Sequence, residues 1–535
     1  MRRLLRALSV CCAVSAAGCA TPGALGLSEP QVSLPEGAKL LPTRARRLSN
    51  FELDNSLSRA TGLEVSLAPQ LPRDVRQEGY SPNANQDVSS AWAARYSTLV
   101  GELSTRGASK LAQASDCRDL SPTCRALRVR KLGRLAFRRS LTAEEQGALE
   151  GLLANAAASG ETFEGALALL LRALFESPSF LYVTELGSGA PGQPARLDDA
   201  ELASELSFLL TGAPPDAQLL DVAETGALRT PHGRVTQALR LLAIPSTRYQ
   251  FRRFALEWLE VDGLLDTAKS SQLFPNYDAL KPFMLAETEN YVDEVMVHGG
   301  ASVQSLLAGG FASVGPEMAR FYGLSKYGPR ASLRGTGRLG VLQQASFLAS
   351  HAHEDVTSPV KRGDFVLRKL LCEKLKRPAE IGLEVVMPPP SATLSNRERL
   401  SQHIADPGCA ACHSRLDPIG YTFEGFDAMG GVQKTDRGKP VNTRDRVVLG
   451  SSASATNELS NSEALTRALL ENPTISECFA RHAFRYFSAQ ADPGVEASFL
   501  ALRSQLPDAQ RDNLFQVLLA YVASDLFVLR QNGGG

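Results

Sequence analysis

The sequence predicts a mainly α-helical protein made of several modules, with a loop-rich module near the C-terminus. Apolar residues recur at helical spacing through most of the chain, and helix-start signals precede several of these runs. Prolines and glycines cluster between residues 377 and 431, which predicts the loop-rich part. The chain has 535 residues, of which 44% are hydrophobic, enough for roughly three or four cores.

The net charge argues against a polyanionic partner. The sequence holds 57 basic and 57 acidic side chains, so its formal charge at pH 7 is zero. A neutral chain produces no global field that would concentrate nucleic acid near its surface. We therefore expect no nucleic-acid partner.

The N-terminus resembles a bacterial signal peptide. A basic start is followed by an apolar stretch over residues 7–17, which is too short to span a bilayer. Small residues then lead to Cys19, and the Gly-Cys pair resembles a lipobox, although Ala16 stands where that motif prefers Leu. We expect export to the periplasm or outer membrane, with membrane contact only through a lipid anchor at Cys19. The alternative is ordinary cleavage that releases a soluble periplasmic protein.

Helix signals follow in order along the body of the chain. Thr142 with Glu145, and Asp198 with Glu201, form capping boxes that predict two helix starts. Between them, residues 163–174 carry an apolar stripe that ends before a proline. Further apolar stripes at 465–469, 495–502 and 514–522 predict three antiparallel C-terminal helices.

The most informative motif is CAACH at residues 409–413. In an exported chain, this spacing is typical of covalent c-type haem attachment. Cys409 and Cys412, one helical turn apart, would bond the two vinyl groups, and His413 would be the proximal iron ligand. A disulfide between the two cysteines and a zinc site are the alternatives, but neither needs the adjacent histidine.

The remaining haem contacts are less defined by the sequence. Met387 and His403 are the preferred candidates for the sixth iron ligand because they lie nearest in sequence on the approach to the motif. Arg397 and Arg399 precede the motif and could pair with a haem propionate, or lie as ordinary surface charges. Other candidate sixth ligands are His351, His353 and Met429. The segment Asp417, Pro418 and Gly420 is predicted to be a turn.

Four other cysteines predict two disulfides in an oxidising compartment. Cys117 with Cys124 would close a short loop, whereas Cys372 with Cys478 would tie the segment before CAACH to the C-terminal helices. Four cysteines permit three pairings, and free buried thiols are the alternative.

Changes in composition divide the chain into segments. We predict a signal peptide at 1–19, a flexible tether at 20–43, an N-terminal helical module at 44–110, a helical module at 111–190, a large helical module at 196–325, a haem c module at 335–450 and a C-terminal helical module at 455–535.

Several further motifs follow one another along the chain: RRLSNFELDNSL from Arg46, GRLAFRRSLTAEE from Gly133, SPSFLYVTE from Ser177, LDDAELASELSFLLTGAPPD from Leu197, TSPVKRGDFVLRKLLC from Thr357, RERLSQHIADPGCAACHSRLDPIGYTFEGFDAMGG from Arg397 and SDLFVLR from Ser524. In this order they resemble one family of exported, multi-module cytochrome-c-like proteins, the planctomycete cytochrome c group, whose modules are domains of unknown function. The resemblance implies an envelope redox protein with one covalent haem c and a redox partner protein, but no particular substrate.

Three functions are compatible with these features. The first is electron transfer by a haem carrier with a saturated iron. The second is a haem enzyme, peroxidase-like or oxygen-using, with an open iron position. The third is a non-redox lipoprotein that binds a polymer or a protein. The sequence fixes neither a substrate nor an oligomeric state, and it leaves open whether the protein is an enzyme.

Overall fold

A computed structural model describes most of the chain. The described residues are 27–114, 117–190, 192–298, 300–375, 380, 391, 393–402, 404, 407–450 and 456–532. None of the helices among them is both long and apolar enough to cross a membrane. Cys19, Met387 and His403 lie outside the described residues.

The fold is mainly α-helical and multi-module, as predicted. Polar caps begin many of the helices; both predicted capping boxes are present, at Thr142 and Asp198. The α-helices are α1 Asn50–Thr61, α2 Ser90–Gln113, α3 Pro122–Phe137, α4 Ala143–Ala158, α5 Phe163–Phe175, α6 Pro178–Leu181, α7 Asp199–Thr211, α8 Ala217–Glu224, α9 Pro231–Leu242, α10 Pro245–Trp258, α11 Tyr277–His298, α12 Val303–Ala308, α13 Pro316–Tyr322, α14 Ala345–Ser350, α15 Pro359–Phe365, α16 Asn396–Ser401, α17 Pro407–Tyr421, α18 Ser462–Leu470, α19 Thr474–Phe487, α20 Pro493–Ser504, α21 Asp508–Arg511, α22 Leu514–Ala523 and α23 Asp525–Val528.

The strands are short and join distant parts of the chain. They are β1 Leu41–Pro42, β2 Arg44–Arg47, β3 Tyr182–Glu185, β4 Ala195–Arg196, β5 Phe311–Val314, β6 Gly328–Ser332, β7 Thr435–Asp436, β8 Lys439–Pro440, β9 Asp445–Val448, β10 Thr456–Leu459 and β11 Leu529–Gln531. β11 lies between β1, to which it is parallel, and β4, to which it is antiparallel. The pairs β2–β3, β5–β6, β7–β8 and β9–β10 are antiparallel.

Among the described residues, three apolar cores hold these elements together. One core lies within residues 48–183, mostly on α1–α6, with Phe208 of α7 added to it. A second and larger core joins α7–α12 to α15, α17 and the C-terminal helices. A small third core includes Tyr277, Met284 and Met429. The segment that carries CAACH therefore shares its core with the large helical module and the C-terminal helices.

The described part of the predicted tether, residues 27–43, packs against the body of the protein. Leu41 is fully buried, and Leu34 and Leu40 contact the large core. The backbone N–H of Lys39 donates to Ser498 on α20. Residues 27–43 are thus held by apolar burial and hydrogen bonds, which a Pro- and Gly-rich composition alone does not reveal.

The C-terminal region contains a helix that the apolar stripes did not predict. α19 stands between the predicted helices and carries Cys478 and His482. Its N-cap residue is Pro473, which offers no side-chain cap, so the usual start signal is missing. Its buried face includes histidine and cysteine as well as phenylalanine, which weakens a purely apolar stripe.

Candidate functional site

CAACH lies on α17, and this helix continues further than the sequence predicts. Asp417, Pro418 and Gly420 were expected to form a turn, but all three are helical. An internal proline costs a helix about 3 kcal/mol because it removes a hydrogen bond and crowds the preceding turn. Burial of Leu416 and Ile419 in the large core offsets this cost.

Close packing between α15 and α17 fixes the position of the motif. A Cβ on Gly363 of α15 would lie 2.2 Å from the carbonyl oxygen of Leu416. A Cβ on Gly420 of α17 would lie 2.0 Å from the carbonyl oxygen of Pro359. Both positions therefore require glycine. The backbones of α15 and α17 are in direct contact there, and the contact begins about one turn after CAACH.

A buried arginine fastens the loop after α17 to α15. The Arg362 guanidinium is fully buried and donates hydrogen bonds to the carbonyl oxygens of Phe423, Phe426 and Leu348, at 3.2 to 3.4 Å. Glu424 lies 3.6 Å from Arg362 and accepts a hydrogen bond from Thr357. Burial raises the pKa of Glu424, and the charge of Arg362 opposes that rise. Arg362, Glu424 and Thr357 thus hold the loop after α17 against α15.

The two motif cysteines differ from the other described cysteines. Both predicted disulfides are present, Cys117–Cys124 and Cys372–Cys478. Cys409 and Cys412 are half-buried and belong to neither disulfide. The Cys412 side chain packs against the large core. The motif thus presents two thiols one helical turn apart, as haem attachment requires.

His413 is oriented by an acidic residue one turn further along the same helix. Its Nδ1 atom lies 2.9 Å from Oδ1 of Asp417, and because a carboxylate oxygen only accepts, Nδ1 carries the proton. The other ring nitrogen, Nε2, is then the one with a lone pair for a metal. The His413 side chain is 17% exposed and that of Asp417 is 0% exposed.

Asp417 was not predicted as a site residue. Its spacing of four residues from His413 places both side chains on one face of a helix, and this was the available signal. The neighbouring proline and glycine indicated a turn instead, in which Asp417 would cap backbone donors. In the structure its carboxylate accepts a hydrogen bond from the imidazole of His413.

The predicted propionate-binding arginines have protein partners. Arg397 donates to the carboxylate of Asp445 at 2.5 Å and lies 4.3 Å above the ring of Tyr421. Arg399 donates to Asn396 at 2.9 Å. A role for either guanidinium at a haem propionate stays a prediction.

The described candidates for the sixth ligand lie in different environments. His351 is buried, stacks on Phe347 with the ring centres 4.3 Å apart and lies 3.5 Å from Glu260. Met429 is buried in the small core. These two side chains fill the protein interior. The two preferred candidates lie outside the described residues.

A cavity of about 420 Å³ opens beside α16. His353, Arg399, Asn396 and Asp436 are among the residues that line it. Burial and the neighbouring charge of Lys361 lower the pKa of His353, which favours a neutral imidazole there. Among the described candidates, His353 is the one that faces open space.

Comparisons with known proteins place four modules along the chain. Family models for proteins of unknown function match residues 46–108 (PSD3, DUF1587), 124–185 (PSD5, DUF1595), 197–324 (PSD4, DUF1592) and 338–436 (PSCyt3, DUF1588). CAACH lies inside the last match. No curated protein and no solved structure matches the chain.

These matches define a multi-module protein with a cytochrome-like module that follows three helical ones. The chain carries four modules of the planctomycete cytochrome c group. The name of the cytochrome-like module agrees with the motif within it, whereas each matched module is described only as a protein of unknown function.

Proposed function

We propose that this protein is a c-type haem protein of the bacterial envelope that transfers electrons within an exported redox system. The observation that carries the proposal is the arrangement on α17. Two half-buried thiols stand one turn apart outside both disulfides, and the next residue is a histidine whose Nδ1 is engaged by Asp417.

The donor set fits one haem c. Cys409 and Cys412 would bond the porphyrin, and Nε2 of His413 would ligate the iron. Bound haem would supply a one-electron redox centre. The core around Cys412 would exclude water from one side of the group. The other four described cysteines are paired with one another, and the motif cysteines belong to neither disulfide.

Export and partners form part of the same proposal. The leader at residues 1–19 supports export, and its Gly-Cys end supports a lipid anchor at Cys19. The disulfides support an oxidising compartment. A redox protein of the envelope would be the electron donor or acceptor. The balanced charge of the chain supports a partner that is not a nucleic acid.

The test is an absorption spectrum of protein produced together with the c-type maturation machinery. We expect a covalent haem spectrum in the wild type and none in Cys409→Ser/Cys412→Ser. The matched control, Cys117→Ser/Cys124→Ser, removes the same number of sulfur atoms elsewhere and should keep the spectrum. A wild-type protein without pigment, or pigment retained by the motif variant, would overturn the proposal.

Adding carbon monoxide to the reduced protein separates the carrier from the enzyme. An electron carrier with two protein ligands on the iron keeps its spectrum unchanged. A spectrum that shifts would show an open iron position and favour the peroxidase-like or oxygen-using alternative. Absence of pigment in all preparations would favour the third possibility, a polymer- or protein-binding lipoprotein.

A further inference from the structure

We infer that Asp417 is a positioning residue that sets the electron-donating strength of His413, and through it the reduction potential of the haem iron. The inference rests on the proposed function, because it assigns a role to Asp417 at the same site. It goes beyond that function by naming the residue that tunes it.

The burial of Asp417 requires an explanation. Its side chain is 0% exposed, and burying a polar group, above all a carboxylate, is costly unless a hydrogen bond or a cation compensates it. Among the described residues, His413 is its one hydrogen-bond partner, through Oδ1. Oδ2 is buried and has no partner among them.

In the described part of the chain, no arginine or lysine forms an ion pair with this carboxylate. Two arginines of the same module are engaged elsewhere: Arg415 with Glu373 at 2.6 Å, and Arg397 with Asp445 at 2.5 Å. Across the described ranges, the favourable side-chain interaction of Asp417 is therefore directed at His413.

The hydroxyl of Tyr421 does not compensate the charge of Asp417, although Tyr421 lies one turn after it on the same helix. It is buried and has no hydrogen-bond partner among the described residues. The negative charge of Asp417 contributes, after burial, to the raised pKa of Tyr421. A neutral phenol with a raised pKa leaves the charge of Asp417 facing the imidazole.

Other histidine–carboxylate contacts in the described chain differ from this one. Glu260, which lies beside His351, also pairs with the cations Arg368 and Lys369, so that carboxylate is already neutralised. His232 meets Glu29 and His298 meets Glu294 at the surface, where the two histidine side chains are 79% and 63% exposed. The contact between His413 and Asp417 combines a fully buried carboxylate with a histidine as its hydrogen-bond partner.

A buried carboxylate changes the chemistry of a ligating imidazole. When Nδ1–H donates to it, electron density shifts to Nε2, which becomes a stronger ligand. A stronger donor stabilises ferric over ferrous iron and lowers the reduction potential. The same hydrogen bond fixes the tautomer and the rotation of the ring.

The experiment measures the reduction potential of the haem in the full-length protein by spectroelectrochemistry. Asp417→Asn keeps the shape and an acceptor oxygen but removes the charge, and we expect the potential to become more positive. Asp417→Glu keeps the charge on a side chain that is one methylene longer, and we expect a smaller shift of the reduction potential. The matched control, Glu373→Gln, removes the negative charge that pairs with Arg415 of α17 and leaves the partner of His413 in place. It should change the potential far less than Asp417→Asn.

The outcomes separate this inference from the proposed function. A wild-type protein that binds no haem overturns both. A haem-loaded Asp417→Asn protein whose potential equals that of the wild type, or moves no more than that of Glu373→Gln, overturns the inference alone. Loss of haem binding in both Asp417 variants would assign the residue to folding and would also overturn the inference.

Discussion

Two buried carboxylates in different modules of the protein are stabilised in different ways. Glu185 on β3 is fully buried where β2, β3 and β11 meet, and it accepts hydrogen bonds from Arg44 at 2.9 Å and Arg530 at 2.8 Å. Asp417 on α17 is equally buried, and its hydrogen-bond partner among the described residues is a histidine. One site surrounds its charge with cations, and the other leaves it facing a candidate metal ligand.

This difference in charge compensation indicates different roles for the two carboxylates. Burial alone would raise the pKa of Glu185, but the charges of Arg44 and Arg530 hold it at about 2. The N-terminal strand β2 and the C-terminal strand β11 are thereby fastened to β3. Asp417 lacks such compensation within the described chain, so its position is better explained by its effect on His413 than by a contribution to stability.

Breaking the junction around Glu185 should have the largest effect on stability. Arg530→Met removes one cation and leaves Glu185 buried with incomplete compensation, which typically costs about 3–5 kcal/mol. We expect this loss in the free energy of unfolding, measured by urea denaturation. Arg444→Ala, which removes an exposed partner of Glu458, is the control and should change little. An equally small loss for Arg530→Met would refute the assigned role of the junction.

A third buried carboxylate, Glu287, extends the comparison, because its burial should make the free energy of unfolding depend on pH. Burial raises the pKa of Glu287 from 4.5 to about 7, against the opposing effect of a hydrogen bond from Tyr322. Between these two values the folded protein holds a proton that the unfolded chain has lost, so stability falls as pH rises from 4.5 to 7. Because a tenfold change in proton affinity corresponds to about 1.4 kcal/mol, the total loss is on the order of 3 kcal/mol.

Glu287→Gln should remove this contribution. The free energy of unfolding of the wild type, relative to that of the variant, should decrease across that window and become constant above it. Denaturation curves at several pH values measure this difference. A difference that is independent of pH would show that Glu287 is ionised in the folded protein and has a compensating partner.

Disturbing the contact between α15 and α17, which positions Asp417, should have the next largest effect on stability. Gly420→Ala places a methyl group against the backbone of Pro359, and such overpacking typically costs about 1–3 kcal/mol. We expect a lower melting temperature and reduced haem incorporation. Gly147→Ala on α4, where a Cβ meets nothing within 4 Å, is the matched control. It should stabilise slightly, by about 0.5–1 kcal/mol. A tolerated Gly420→Ala would mean that the crossing is looser than described.

The sequence predicts the helices far better than the polar contacts. Capping boxes at Thr142 and Asp198 act within one turn, so local residues suffice to predict the start of α4 and α7. The pairing of Arg530 with Glu185 spans 345 positions and has no local signal. α17 runs through Pro418 because of tertiary burial, which overrides a local helix-breaking preference.

The sequence predicts the motif of the candidate site but not the partner of His413. CAACH is a contiguous motif, so Cys409, Cys412 and His413 are recognised from their spacing alone, and their role in haem attachment stays a prediction. The partner of His413 depends on whether residues 413–417 are helical, and that depends on the contact of Gly420 with α15. Likewise no local signal indicates the pairing of Arg397 with Asp445, because that contact requires β9 to lie beside α16.

The most direct test is the mass of the peptide that contains Cys409 and Cys412, isolated from mature protein made with the c-type maturation machinery. We predict that this peptide carries the added mass of one haem bonded to both sulfur atoms. Unmodified thiols, or a disulfide between the two cysteines, would contradict the assignment of this chain as a haem c protein.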